Sequence, residues 1–287
     1  GTTSGLGKRF AKVLAACGAK VVATGRRVDR LEALAEEIRA DGGICEPIAI
    51  DMTSRDSIRA ALVEAEARVG TVQILINNAG VMACPQAQTS DGFEMQFGTN
   101  HLGHFALTKH LIPLIEKGQN KRIVNLSSRG HHFAPVDLDD PNFEHREYEK
   151  WASYGQAKTA NILFSLGLEQ RFADKGIHVY AVHPGGIQTN LGRHLTEQDI
   201  EALLARVTTS DSAFEWKTIP QGAATTCWAA ISPELEGKGG VYCEDCHVAE
   251  NDDESSAGGV RSYAIDPDIA DQLWSISEQM TGESFSA

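Results

Sequence analysis

Tyr154 and Lys158 stand four residues apart in Ser153-Tyr154-Gly155-Gln156-Ala157-Lys158, so on a helix both side chains rise from one face. A phenol keeps its proton to about pH 10 in water, whereas an ammonium a few ångströms away favours phenolate and draws proton exchange toward neutral pH. A tyrosine so placed can protonate a carbonyl oxygen or deprotonate an alcohol. The spacing also occurs in ordinary helices, so the pair acquires meaning only from the elements that position it.

Those elements alternate. Short β-branched runs and amphipathic stretches follow one another through residues 1–200, the pattern of an α/β domain whose parallel sheet is covered by helices on both faces. Strands are expected at Lys20–Thr24, Cys45–Ile50, Val72–Ile76, Arg122–Leu126 and His178–Val182, with a short one at Val241-Tyr242. Helices are expected at Leu6–Ala16, Val28–Arg39, Ser54–Val69, Gly92–Glu116 and Trp151–Phe172, each with apolar residues at three-to-four spacing. The polar stretch Glu250–Gly259 reads as a mobile loop. Gly1 falls where a turn would follow a buried strand, so the reading expects residues upstream of those given.

Bulk composition narrows the function classes. The 287 residues suffice for one large domain with a sizeable core. A formal charge of −13 repels phosphate backbones and anionic lipid surfaces, which argues against nucleic acid as a partner. No stretch approaches the roughly 20 apolar residues that span a bilayer, and no charged-then-apolar leader begins the chain, so a soluble, cytoplasmic protein is expected. Cys17, Cys45, Cys84, Cys227, Cys243 and Cys246 are scattered rather than framed as in small secreted domains, which suits reduced thiols. Cys243-Glu244-Asp245-Cys246-His247 lacks the second cysteine pair of a zinc site and reads as a loop.

At the amino end, Gly1-Thr2-Thr3-Ser4-Gly5-Leu6-Gly7 opens the first helix. Three glycines there permit a tight turn and close backbone approach, and free N–H groups would hold a pyrophosphate, which makes Gly1, Thr3, Ser4, Gly5, Leu6 and Gly7 candidate cofactor contacts. Glycines also turn chains with no ligand in view. The following strand ends in Gly25-Arg26-Arg27 without the acid that would grip a ribose 2′-hydroxyl; two guanidinium groups suit a 2′-phosphate, favouring NADP(H) over NAD(H). The same arginines would also serve to begin a solvated helix. Asp51, with Met52 beside it, closes a strand where its carboxylate could accept the adenine amino group; a surface turn gives the same spacing.

With these residues in view, the chain resembles the short-chain dehydrogenase/reductase family along nearly all its length. The likeness is carried by the Gly1–Gly7 turn, Asn77-Asn78-Ala79-Gly80, Asn100, Asn125-Leu126-Ser127-Ser128, Tyr154 with Lys158, and His183-Pro184-Gly185-Gly186 with Thr189. It is similar to retinol-dehydrogenase-like and protochlorophyllide-reductase-like members through Thr99–Phe105 and Tyr154–Asn161. The resemblance implies a Rossmann-like, doubly wound fold and hydride transfer between a nicotinamide and a carbinol carbon. It implies Tyr154 as general acid/base, Lys158 lowering its pKa and holding the nicotinamide ribose, and Ser128 binding the substrate oxygen, with Ser127 as the competing choice. Asn100 would link Lys158 to solvent through a water, or simply bond its neighbours. Asn78, Ala79 and Gly80 would lie under the adenosine ribose; Pro184, Gly185, Gly186, Ile187 and Thr189 would bed the nicotinamide.

The expected substrate is a fairly large apolar carbonyl or alcohol. Residues 129–151 form an insertion beside its entry and residues 191–216 a lid, while His131, His132 and His145 in the insertion are read as loop residues, with no metal expected. Family members often pair through the helices read here as Gly92–Glu116 and Trp151–Phe172, so a homo-oligomer is open. Two alternatives stand beside this reading: reduction of a conjugated double bond, and a non-catalytic protein that senses NADP(H).

Overall fold

The computed structural model describes residues 1–207 and 215–285. In chain order it comprises α1 (Gly5–Ala16), β1 (Lys20–Gly25), α2 (Val28–Ala40), β2 (Ile44–Ala49), α3 (Arg55–Val69) and β3 (Ile74–Asn77). Then come a short α4 (Met95–Phe97), a π turn (Gly98–Leu102), α5 (Gly103–Glu116), β4 (Lys121–Leu126), α6 (Lys150–Phe172) and β5 (Ile177–His183). The last elements are α7 (Glu197–Val207), α8 (Ile219–Ile231), β6 (Val241–Glu244), β7 (His247–Val248) and α9 (Pro267–Thr281).

β3, β4, β5 and β6 pair in parallel in that order, and β7 turns back against β6. β1 and β2 form a separate parallel pair. The two sheet pieces meet at their carboxyl ends through the first residues. The Thr2 N–H donates to the Thr24 carbonyl (2.8 Å), and the Asn78 side-chain amide donates to the Gly1 carbonyl (3.1 Å).

Alternation along the central strands decides which helices cover which face. Ile123 and Val179 pack with Phe105, Phe164 and Trp274 of α5, α6 and α9, while Val124, Tyr180 and Val182 pack with Leu14 of α1 and Ala229 and Ala230 of α8. Strands buried on both faces read as continuous apolar runs, which is why they were visible in the sequence. Phe105 is central: its ring lies edge-on to Trp274 (5.3 Å) and Phe285 (5.0 Å), and truncation to alanine would cost about 3–5 kcal/mol.

Two expectations change. The long helix expected over Gly92–Glu116 begins only at Met95: Gly92 turns the chain at φ +86°, and the Glu94 carboxylate accepts the N–H groups of Gln96 and Phe97 (2.9 and 2.7 Å). The π turn then interrupts it before α5. The stretch expected to be mobile, Glu250–Gly259, is pinned. Arg261 donates to the carbonyls of Asp252 and Ser255, Asp253 accepts from the Ser262 N–H and hydroxyl (2.8 and 2.7 Å), and Glu244 accepts from the Gly259 N–H (2.7 Å). Separately, α9 packs against α6, whose residues Ser153 to Ser165 are all buried.

Candidate active site

A cleft of ≈ 800 Å³ opens over the carboxyl ends of β3, β4 and β5. Its floor is held by side-chain bonds from strand to strand to helix. Asn77 donates to the Asn125 side-chain oxygen (2.7 Å), Asn125 donates to the Ser165 hydroxyl (2.8 Å), and Asn161 donates to the Leu126 carbonyl (2.9 Å). These bonds are buried and therefore well insulated from competing water. They fix the end of β4 against α6 at the turn that carries Tyr154 and Lys158.

Tyr154, Lys158 and Ser128 all line this cleft. The Lys158 ammonium lies 5.7 Å from the centre of the Tyr154 ring and donates to the Leu126 carbonyl (3.0 Å). The Ser128 hydroxyl is hydrogen-bonded to the Tyr154 phenol, and it also accepts the Gly130 N–H (3.0 Å). Gly130 is required there, since a Cβ on it would stand 2.6 Å from the Tyr154 ring. Ser127 points the other way: its hydroxyl, buried, donates to the Lys158 carbonyl (2.8 Å) and ties strand to helix.

Burial pushes the Tyr154 phenol up to about 12, with the Ser128 hydrogen bond acting in the opposite direction, and burial pushes the Lys158 ammonium down to about 8. Burial is the larger influence on the phenol, which keeps its proton at neutral pH. That state suits a proton donor. His183 is neutral, held well below its ordinary value by burial first and then by Arg129 and Lys217; its Nδ1 accepts the Arg129 N–H (3.1 Å).

Asn100 is fully buried and its side chain is committed: Oδ1 accepts the Val81 N–H and Nδ2 donates to the Val81 carbonyl, both at 2.9 Å. A relay through the amide would have to break that pairing, so only the main-chain carbonyl is left for it.

Toward the amino end, the cleft is lined by Gly1, Ser4, Gly5, Leu6, Gly7, Asn78, Ala79 and Gly80. Ser4 caps α1 with no side-chain bond and no acid in the first turn, which leaves the first N–H groups of the helix to a ligand anion. The turn needs glycine: a Cβ on Gly7 would meet the Gly1 carbonyl at 2.1 Å. These features fit a dinucleotide's phosphates. Pro184, Gly185, Gly186, Ile187 and Thr189 line the opposite wall, which the Lys217 N–H steadies by donating to the Gly186 carbonyl (2.9 Å).

Thr3, Arg26, Arg27, Asp51 and Met52 lie outside this lining. Arg27 donates to the Thr3 hydroxyl (2.8 Å) from an exposed position at the end of β1. The Asp51 carboxylate accepts from the Thr53 N–H and hydroxyl (3.0 and 2.8 Å), and Met52 packs beside Ile50 and Ile58. At the substrate end the walls are Met82, Phe133, Trp151, Leu195, Ile200 and Trp216. Only the ends of the 129–151 insertion reach the cleft. Within it Asp140 is buried, accepting the N–H groups of Glu144 and His145 (2.7 and 3.1 Å) and pairing with Arg146, while Asp139, Glu144 and Glu147 are exposed. Of the expected lid, α7 is described, whereas residues 208–214 lie outside the described residues. Sequence reasoning missed Met82, Phe133 and the structural bonds of Asn161 and Ser127; their positions follow from tertiary contacts and left no local signal.

Cys243 is buried in β6, and Asp245-Cys246 form the two-residue turn to β7 with φ +47° and +58°. All six cysteines are unpaired, and among the described residues no three His, Cys, Asp or Glu side chains gather as a metal site would need. Also among the described residues, no helix is long and apolar enough to cross a membrane.

The fold and cleft together define an oxidoreductase of the nicotinamide-dependent kind, and the comparisons agree. Residues 1–200 match the short chain dehydrogenase family, and the chain belongs to the short-chain dehydrogenase/reductase family, in its retinol-dehydrogenase-like branch. The short-chain dehydrogenase/reductase prx1 of Penicillium rubens is 40% identical over 98% of this chain and 83% of its own length. Retinol dehydrogenase 14 of Homo sapiens is 37% identical over 98% of this chain and 84% of its own. A solved structure of an uncharacterized protein from Mycobacterium Paratuberculosis superposes with a TM-score of 0.75 at 32% identity, over 100% of this chain and 93% of that one. A gluconate 5-dehydrogenase from Burkholderia cenocepacia J2315, solved with NADP and tartrate, shares the fold at a TM-score of 0.67 and 24% identity, over 85% of this chain and 90% of that one.

Proposed function

We propose that this chain, acting as one domain, is an NADP(H)-dependent oxidoreductase that interconverts a carbonyl and an alcohol on a fairly large apolar substrate. The observation that carries the reading is the convergence of Tyr154, Lys158 and Ser128 on the floor of a cleft that continues into the glycine cradle at the start of α1. The bound cofactor supplies the hydride, or accepts it in the reverse direction.

In carbonyl reduction the substrate carbon gains that hydride while its oxygen takes the Tyr154 proton, giving the alcohol and a transient phenolate. Ser128 holds the oxygen, and Lys158, charged below about pH 8, steadies the phenolate until a proton returns. Asn100 completes the set through its main-chain carbonyl. Gly1, Thr3, Ser4, Gly5, Leu6 and Gly7 would hold the pyrophosphate; Asn78, Ala79 and Gly80 the adenosine ribose; Asp51 and Met52 the adenine edge. Pro184, Gly185, Gly186, Ile187 and Thr189 would bed the nicotinamide. Arg26 and Arg27 would take the 2′-phosphate, a preference supported by the absence of a carboxylate at the end of β1. A reducing, cytoplasmic setting goes with this reading and is supported by the six unpaired cysteines.

The test is to mix the protein with NADPH or NADH and bulky aldehydes, ketones and enones, following loss of the reduced cofactor and identifying products. Alcohol formation with NADPH preferred supports the proposal. Saturation of the enone double bond with its carbonyl intact would replace it with the double-bond reaction. Tight cofactor binding with no turnover on any substrate would leave a sensing protein.

A further inference from the structure

The cations that line the cleft are not equivalent. Lys217 pairs with Asp245, Arg193 donates to the Asn190 carbonyl (3.0 Å), and Lys158 donates to the Leu126 carbonyl (3.0 Å). Arg129 differs. Its main-chain N–H is fixed on His183, and the residue lines the cleft, yet its side-chain Nε is sealed from solvent with no hydrogen-bond partner. Among the described residues no carboxylate lies within ion-pair distance of its guanidinium. A half-buried cation with an unmet donor is costly unless something charged or polar comes to it. Behind the cleft lining, the buried Tyr242 hydroxyl also lacks a partner, and it offers Arg129 no hydrogen bond.

Position gives these groups a meaning. Arg129 follows Ser128 directly, so its Cα lies about 3.8 Å from that of the residue that holds the reacting oxygen. An arginine side chain anchored there is within reach of substrate groups a few bonds from the reacting carbon. The rest of the substrate end, Phe133, Trp151, Leu195, Ile200 and Trp216, is predominantly apolar. Four cations, Lys158, Arg129, Arg193 and Lys217, face the cleft against two acids, Glu215 and Asp245, in a chain whose overall charge is −13. A planar guanidinium matches a carboxylate with two parallel hydrogen bonds, an arrangement that also gives orientation.

We infer that Arg129 is a specificity-determining residue and that the substrate is an oxo acid: an apolar body with a carboxylate a few bonds from the carbonyl, held by the Arg129 guanidinium. This rests on the carbonyl–alcohol reading of the same site. The carboxylate orients the carbonyl toward Tyr154 and Ser128, and the apolar walls take the remainder of the chain.

The test uses straight-chain oxo acids, lengthened one methylene at a time between carbonyl and carboxylate, each beside its methyl ester, with NADPH and the intact protein. The expected result is a KM for the acid below that of its ester by about 10- to 100-fold at one or two adjacent chain lengths. Arg129→Met should raise the acid's KM by a similar factor and the ester's by much less, and Arg129→Lys should restore part of the preference. Because the main-chain bond to His183 survives these changes, an unchanged unfolding temperature confirms that the fold is intact. The inference is overturned if esters match acids at every length, if Arg129→Met slows both equally, or if it raises the KM for NADPH, which would assign the guanidinium to the cofactor. Should no ester and no acid be reduced, the carbonyl–alcohol reading itself fails, a result distinct from equal reduction of the two.

Discussion

On the floor of the cleft Tyr154 is 4% and Lys158 5% exposed, and Asn125, Ser127, Lys158 and Asn161 each donate a hydrogen bond to a strand or helix partner. Across the opening, Ile200 of α7 is 38% exposed, and the helix is tied to the floor through the ion pair of Asp199 with Lys150, the first residue of α6. Proton transfer needs atoms fixed within a fraction of an ångström, so the floor spends buried hydrogen bonds on rigidity. Admission of a bulky substrate needs a surface that can yield, and sparse contacts provide it. Changes to the floor should therefore act on turnover, and changes to the roof on KM.

The largest effect should come from Lys158→Met, which removes the charge beside the phenol and the bond to Leu126; kcat is expected to fall about 100- to 1,000-fold with the substrate KM little altered. A KM effect alone would break the contrast. In the unaltered protein, Lys158 is charged below about 8 and loses its proton as pH rises through that value, while Tyr154 keeps its own to about 12. Carbonyl reduction should accordingly decline above about pH 8, measured as kcat/KM across pH. A decline beginning on the acid side would contradict the assignment.

Arg26→Ala with Arg27→Ala probes a third kind of region, an exposed end of β1 beyond the cleft lining. The ratio of kcat/KM for NADPH over NADH should drop about 10- to 100-fold, with kcat on saturating cofactor retained. Behind the floor, Glu283 is 5% exposed and accepts from Arg59, Lys109 and His110 (2.7, 2.9 and 3.0 Å). Burial alone would raise its pKa, but those donors outweigh it and hold the carboxyl at about 2. Its stabilisation is present above the ordinary glutamate range and lost as pH falls from about 4.5 toward 2. Glu283→Gln should cost about 1–3 kcal/mol near neutral pH and flatten that acid limb, read by denaturant unfolding across pH. Smallest of all, Asp199→Asn loosens the roof and should change KM a few-fold while kcat holds.

What could be read from the sequence follows the same division. Tyr154 and Lys158 sit on one helix, so their shared face follows from helical geometry, and the buried strands announced themselves as apolar runs. The choice between Ser127 and Ser128 was not readable, because adjacent residues at a strand end face opposite ways and only the fold shows that Ser127 reaches the Lys158 carbonyl. That the Asn100 side chain is held by Val81 was not readable either, because Val81 lies in a distant loop that no spacing rule connects to it. Composition misled at Glu250–Gly259, where the Gly259 N–H donates to Glu244, the Ser255 carbonyl accepts from Arg261 and the Asp253 carboxylate accepts from the Ser262 N–H. The phenol's raised pKa likewise depends on burial, a property of the packed cleft rather than of the four-residue spacing.

The most direct measurement is Tyr154→Phe, which deletes one oxygen from a packed ring: cofactor affinity by fluorescence titration alongside steady-state turnover. The account predicts NADPH affinity within a few-fold of the unaltered protein and kcat reduced by about 100- to 10,000-fold. Turnover within a few-fold of the original, with binding intact, would contradict it.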